Sequence, residues 1–228
     1  MNHPARLRFP PGDREPAPAS HGRCRVWLVA AALAVGLGLI ACGGDAGSEQ
    51  SGGLPDLEFM RFPDPATSPY CLPFPTGVTA TVSQSWSEVG SHRGRFAYDF
   101  ALPFGAEVAA ARDGTVTEIR DDYSDSDRTG GHENGLFVVH ADGTMAVYLH
   151  FQEAGVAVDV GDEVETGDIL GRVGTSGTAV PHLHFEVWEG QGERSQWYRS
   201  LPVSFRDATA PLDAWGGLVR LSYTAGDC

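Results

Sequence analysis

Val180–Trp188 reads VPHLHFEVW. In an extended strand successive side chains point to opposite faces, so Leu183, Phe185 and Val187 fall together on one side. Apolar residues at every second position are what a strand half-buried against a core requires. His182 and His184 then emerge on the other side, about 7 Å apart along the chain given the rise of two residues. Taken alone, His-Leu-His is permissive. It suits an edge strand that shows polar residues to water, and it suits a site where two imidazoles converge on a metal.

The same pattern extends outward. Val78–Val82, Glu107–Ala111, Thr115–Arg120, Leu136–His140 and Met145–His150 are short runs of strand-forming residues. Turn signals separate them: Arg112-Asp113-Gly114, Ala141-Asp142-Gly143, Val160-Gly161-Asp162 and Glu165-Thr166-Gly167-Asp168. VVHADGTMAVYLHF predicts a hairpin turning at Asp142-Gly143. No stretch keeps a helical period over three turns. The expectation is a mainly β, antiparallel domain with a single core over residues 70–228. A weak internal echo, FGAEVAAARDGTVTEI against VGDEVETGDILGRVG, adds a hammerhead-like hairpin of the barrel-sandwich-hybrid kind. Biotinyl and lipoyl carriers use such hairpins to present a lysine. This chain contains no lysine, which excludes that role.

The formal net charge is -14 over 228 residues. A balance this acidic repels phosphate backbones, so no nucleic-acid partner is expected. Five arginines (Arg6, Arg8, Arg14, Arg23, Arg25) precede an apolar run from Val26 to Ala41. That run is short for a membrane span and suits an export signal. Leu39-Ile40-Ala41-Cys42 resembles the lipobox of bacterial lipoproteins, in which Cys42 would carry the lipid; the alternative is an uncleaved anchor with an incidental cysteine. Residues 1–41 are thus expected to be a signal peptide, and 42–69, rich in Gly, Ser, Pro and Asp, a flexible tether against which Phe59, Met60 and Phe62 either dock the domain or stay solvated. The protein would be exported to the cell envelope and held at a membrane by its lipid, since the mature part has only 11 Arg against 28 acidic residues. Cys71 and Cys228 remain for the exported domain. They flank it, chain ends often lie close, and exported domains tolerate disulfides, so they are expected to pair.

PHLHFEV, preceded by LGRVGTSGTAV, resembles the signature of the lysostaphin-type (LytM-like) zinc endopeptidases of peptidoglycan. FAYDFALPFGAEVAAARDGTV, GLFVVHADGTMAVYLHF and VGDEVETGDILGRVG resemble further segments of that family in the same order, so the likeness runs from about Gln84 to Trp188. The resemblance implies one zinc ion held by His92, Asp99 and His184. It implies His150 and His182 as catalytic residues outside the ligand set, with their separate roles open. Three protein ligands leave a fourth position for water, as a catalytic zinc site requires. The implied substrates are the peptide stems or cross-bridges of bacterial cell wall. One departure stands out: the family's usual H-x-x-x-D step is here seven residues, His92 to Asp99. An odd step along one strand would put the two on opposite faces, so Arg93-Gly94-Arg95 is expected to loop out.

The other histidines invite plainer roles. His132, in Gly130-Gly131-His132-Glu133-Asn134, either lines the groove or is a loop residue. His140 is expected to be a solvated hairpin residue. Tyr148, two before His150, would share its strand face, as a core or rim residue or as a hydrogen-bond donor near the site. Two rivals to a peptidase remain: a non-catalytic LytM-like module that binds or activates other wall hydrolases, and a periplasmic metal-binding or chaperone-like protein using the same residues.

Overall fold

The structure is a computed structural model that describes residues 61–190, 199–208 and 211–228. The signal segment, Cys42 and the tether as far as residue 60 lie outside the described residues. Eleven strands follow in order: β1 Thr79–Gln84, β2 Ala97–Ala101, β3 Glu107–Ala109, β4 Gly114–Arg120, β5 Gly135–Val139, β6 Met145–Leu149, β7 Phe151–Val156, β8 Glu163–Val164, β9 Ile169–Val173, β10 Leu183–Trp188 and β11 Ser222–Thr224. The helical content described is one 3-10 turn at Pro65–Thr67. Mainly antiparallel β is therefore what the chain adopts.

Eight strands make one sheet in the order β11-β1-β2-β10-β6-β5-β4-β8, and β3-β9-β7 make a second. The strand first quoted, β10, lies in the middle, antiparallel to β2 on one side and to β6 on the other. Its alternation does what the sequence requires. Leu183, Phe185 and Val187 enter a core that gathers residues from Phe62 to Ala225. There Phe185 packs edge-on against Tyr148 and tilted against Phe205, ring centroids 5.2 and 5.6 Å apart. On the opposite face a smaller cluster of Phe137, Met145 and Val147, with Val139, Leu149 and Trp188 against it, covers one end of the same strands.

The β5–β6 hairpin turns where Asp142-Gly143 predicts. Gly143 takes φ +83°, open to glycine at no steric cost, and the Asp142 carboxylate accepts from the Thr144 amide at 3.0 Å. The two echoing segments interlock: β3 of the first pairs with β9 of the second, and β4 with β8. Each segment thus supplies a strand to its partner's pairing, Glu107 opposite Arg172 and Thr115 opposite Glu163.

At the ends of the chain, β11 adds to the edge of β1, with side-chain hydroxyl pairs Thr79–Thr224 and Thr81–Ser222 at 2.7 Å. Cys71 and Cys228 form a disulfide, Cα atoms 6.3 Å apart. Phe62 is buried against Trp86 and Phe96, its amide donating to the Trp215 carbonyl at 3.1 Å, so the chain is docked from here on.

Two side-chain expectations change. His140 is buried, not solvated: its Nδ1 donates to the Asp113 carbonyl at 2.7 Å, and its ring meets Tyr70 edge-on. Burial pushes its pKa down, which keeps it neutral in the core. Tyr148 and His150 do not share a face. His150 follows β6 at φ +71°, and this left-handed residue breaks the alternation. Tyr148 stays in the core, its hydroxyl accepting from the Ala111 amide at 2.9 Å.

Candidate metal and catalytic site

The register of the central strands places His184 of β10 directly opposite Asp99 of β2. Cross-strand partners share a face, so the imidazole and the carboxylate meet on the side of the sheet away from the main core. His184 Nδ1 lies 2.9 Å from Asp99 Oδ1.

His92 arrives differently. It is not on β2 but in the turns before it, so strand parity never applies to its seven-residue step. Gly94 takes φ +75° and the Arg95 amide donates to the His92 carbonyl at 2.9 Å, closing the excursion that the sequence demands. His92 Nε2 comes to 3.1 Å from Asp99 Oδ1 and 3.2 Å from His184 Nδ1. These three residues are buried, and their donor atoms all lie within 4.8 Å of one another.

The hydrogen bonds behind the site say what it suits. His92 Nδ1 donates to the Ser85 carbonyl at 3.0 Å, so in the neutral ring Nε2 is a lone pair. That lone pair faces a carboxylate oxygen 3.1 Å away, and a second ring nitrogen looks at the same oxygen. Acceptors aimed at one another in a buried pocket call for a cation between them. Two imidazole nitrogens and a carboxylate oxygen are a donor set that zinc accepts. Electrostatics agree. Burial raises the Asp99 pKa, but the neighbouring His184 and His92 rings, which hold a carboxylate best when positively charged, outweigh it and keep the carboxyl well below the usual range. Burial lowers that of His184, but Asp99 and then Glu186 outweigh it and lift the value to about 9. The site thus draws positive charge, and a bound metal ion would take the place of that proton.

The two remaining histidines stand beside this cluster. His182, immediately before β10, donates from Nδ1 to the Val180 carbonyl at 2.8 Å and brings Nε2 to 3.6 Å from Asp99 Oδ1. His150 donates from Nδ1 to the Ser176 carbonyl at 2.7 Å. Its left-handed backbone is braced on both sides, the amide donating to the Asn134 carbonyl and the carbonyl accepting from Gly174, at 2.8 and 2.7 Å. The two rings lie 4.5 Å apart, and His150 is 6.3 Å from His184, centroid to centroid. With Nδ1 donating, the neutral ring of each leaves Nε2 as its acceptor. Burial, then the neighbouring His182, pushes the His150 pKa down to about 4, so this imidazole is neutral at ordinary pH.

All five residues singled out in the sequence therefore converge. His132 does not join them. Its Nδ1 pairs with Asp127 at 2.7 Å and its ring stacks on Tyr123 at 4.4 Å, a loop-ordering role. Arg128 likewise ties the loop at Asp125 to Thr175, through a hydrogen bond of 2.6 Å to the Thr175 carbonyl. The sequence did not point to the carbonyls of Ser85 and Ser176, because a backbone acceptor has no residue-type signature. Nor did it single out Glu186, which lies one alternation beyond His184 on the same face and is fully buried.

Residues 92–196 match the family model described as Peptidase family M23. A DD-carboxypeptidase/endopeptidase, Mpg, of Neisseria meningitidis serogroup B is 34% identical over 90 residues, 39% of this chain and 19% of that protein. The glycyl-glycine endopeptidase ALE-1 of Staphylococcus capitis is 34% identical over 116 residues, 50% of this chain and 26% of that protein. The chain thus spans only a fifth to a quarter of the length of these curated relatives. Among solved structures, a zinc containing peptidase from Vibrio cholerae aligns at 25% identity and a TM-score of 0.43, covering 62% of this chain and 40% of that one. The matched stretch contains all five residues of the site, so this part of the chain is similar to peptidase family M23 where the site is built.

Proposed function

We propose that this protein is a zinc-dependent endopeptidase of peptidase family M23 that hydrolyses the peptide cross-links of bacterial peptidoglycan, exported and held in the cell envelope by a lipid on Cys42. The observation that carries the catalytic part is the convergence of the buried His92, Asp99, His184 and His150 with the half-buried His182 in one cluster. The relatives named as a DD-carboxypeptidase/endopeptidase and a glycyl-glycine endopeptidase support the substrate class. The lipobox-like Leu39-Ile40-Ala41-Cys42 supports the anchor.

In this reading His92 Nε2, Asp99 Oδ1 and His184 Nδ1 hold the zinc. When bound, the ion supplies Lewis acidity, polarising the scissile carbonyl and acidifying water. The chain's own residues do the rest. The carbonyls of Ser85, Ser176 and Val180 fix three imidazoles with Nδ1 protonated, so that each turns Nε2 towards the site. His150, neutral because it is buried, accepts the proton of the attacking water at Nε2. Between them His150 and His182 carry that proton to the leaving amine, from ring positions 4.5 Å apart.

The test is incubation of the purified, zinc-loaded protein and its His182→Ala variant with purified sacculi of several wall types, followed by analysis of released muropeptides. The wild type should expose new peptide termini, and the variant should lose that activity by about 100-fold or more, as for removal of a proton-transfer group. Absence of new termini with every wall type would favour the activator module. Full activity in the variant would remove His182 from the mechanism.

A further inference from the structure

Glu186 is a carboxylate with no exposed surface, yet it lies outside the ligand set and proton path described above. An unpaired buried carboxylate is costly, so its partners state its purpose. It has two. Arg95 grips it in a fork: Nε donates to Oε2 at 3.2 Å and Nη2 to Oε1. On its other side Oε1 lies 3.6 Å from Nε2 of His184, a buried ring nitrogen with no closer polar partner among the described residues.

Both contacts lead to metal-ligand candidates. His184 offers Nδ1 to a metal as a lone pair only if its proton resides on Nε2, and the Glu186 carboxylate 3.6 Å away is the charge that favours the proton there. A ligating histidine whose outer N–H faces a carboxylate is oriented, fixed in one tautomer and made more basic. Arg95 sits in the excursion between His92 and Asp99, and its amide closes the turn on the His92 carbonyl at 2.9 Å. Pinning the Arg95 side chain therefore pins the loop that delivers His92. The longer spacing of this chain removes His92 from the strand, and the Arg95–Glu186 pair restores by an ion pair the rigidity that strand pairing would have supplied.

We propose that Glu186 is the positioning residue of the metal centre, holding His184 through its ring and His92 through Arg95. This rests on the zinc reading above and adds two residues, Glu186 and Arg95, to it.

The experiment compares wild type, Glu186→Gln, Glu186→Ala and Arg95→Ala by zinc competition with a chromophoric chelator, by ¹⁵N NMR of the histidine rings in the zinc-loaded protein, and by thermal unfolding. Zinc affinity should fall about 10- to 100-fold in Glu186→Ala, the range for loss of such an outer partner, with partial rescue in Glu186→Gln, whose amide oxygen still accepts from Nε2–H. The wild-type spectrum should show His184 protonated at Nε2. In Arg95→Ala the disturbance should centre on the His92 ring. Arg95 is partly exposed, so this variant remains informative if Glu186→Ala fails to fold. Wild-type zinc affinity in Arg95→Ala or Glu186→Gln together with an unprotonated Nε2 on His184 would overturn the proposal. A wild-type protein that binds no divalent ion would instead overturn the zinc reading itself.

Discussion

The two faces of β10 are six residues of one strand put to opposite uses. Leu183, Phe185 and Val187 on one side and His184 and Glu186 on the other are all buried to 5% exposure or less. The apolar face needs only shape, because dispersion and the release of water are non-directional. The polar face works through directional partners: Asp99 for His184, Arg95 for Glu186, backbone carbonyls for the other imidazoles. Burial is equal on both sides. What differs is specificity, since a core position tolerates an isostere and a site position does not.

That difference can be broken most forcefully at Asp99. Asp99→Asn keeps the shape and removes the charge on which both imidazoles converge. Activity should fall by about 1,000-fold or more, the loss of several kcal/mol of Lewis-acid stabilisation, and zinc binding should be lost with it. Calorimetric zinc titration and muropeptide release check this, and near-wild-type far-UV circular dichroism should accompany the loss.

Phe185→Ala should do the reverse. Removing a ring with no exposed surface from the core costs about 3–5 kcal/mol of stability. Under conditions where the variant is folded, zinc should bind with unchanged stoichiometry. A variant that keeps its urea midpoint but loses zinc would mean that the two faces are not separable.

The smallest effect concerns pH. The pKa of His150 is depressed in the folded state to about 4, so the unfolded chain binds the extra proton between its own value near 6.5 and 4. The stabilising contribution of this group is fully present above 6.5 and is lost as pH falls towards 4, by about 3 kcal/mol at most. His150→Asn removes the titration, and asparagine tolerates the φ of +71°. Urea unfolding at pH 7.5 and 4.5 should show a steeper loss for the wild type than for this variant. Parallel losses would mean that His150 is solvated, joining neither face.

Much of this was legible in sequence, and the reasons are particular. Alternation in Leu183–Trp188 shows in residue types, and Asp142-Gly143 marks its turn by a glycine that must be left-handed. β7 was not legible: its Ala154 and Gly155 do not alternate, and it is held by backbone pairing to β9. His140 was misjudged because proximity to a turn suggests solvent, whereas Tyr70 and Asp113, 70 and 27 residues away in sequence, enclose it. Glu186 escaped notice because a glutamate on the polar side of a strand normally means water.

By itself the sequence determined the class of fold and the strand whose two histidines share a face, since these depend on a period of two, and the resemblance of its motifs to the lysostaphin-type endopeptidases implied the five residues that meet there. Only the tertiary structure decided how they meet. The register that sets Asp99 against His184, the loop that carries His92 in from outside the strand, the left-handed turn at His150 and the burial of Glu186 beneath Arg95 are contacts between distant segments. Local pattern cannot encode them, because each depends on which other strand lies alongside.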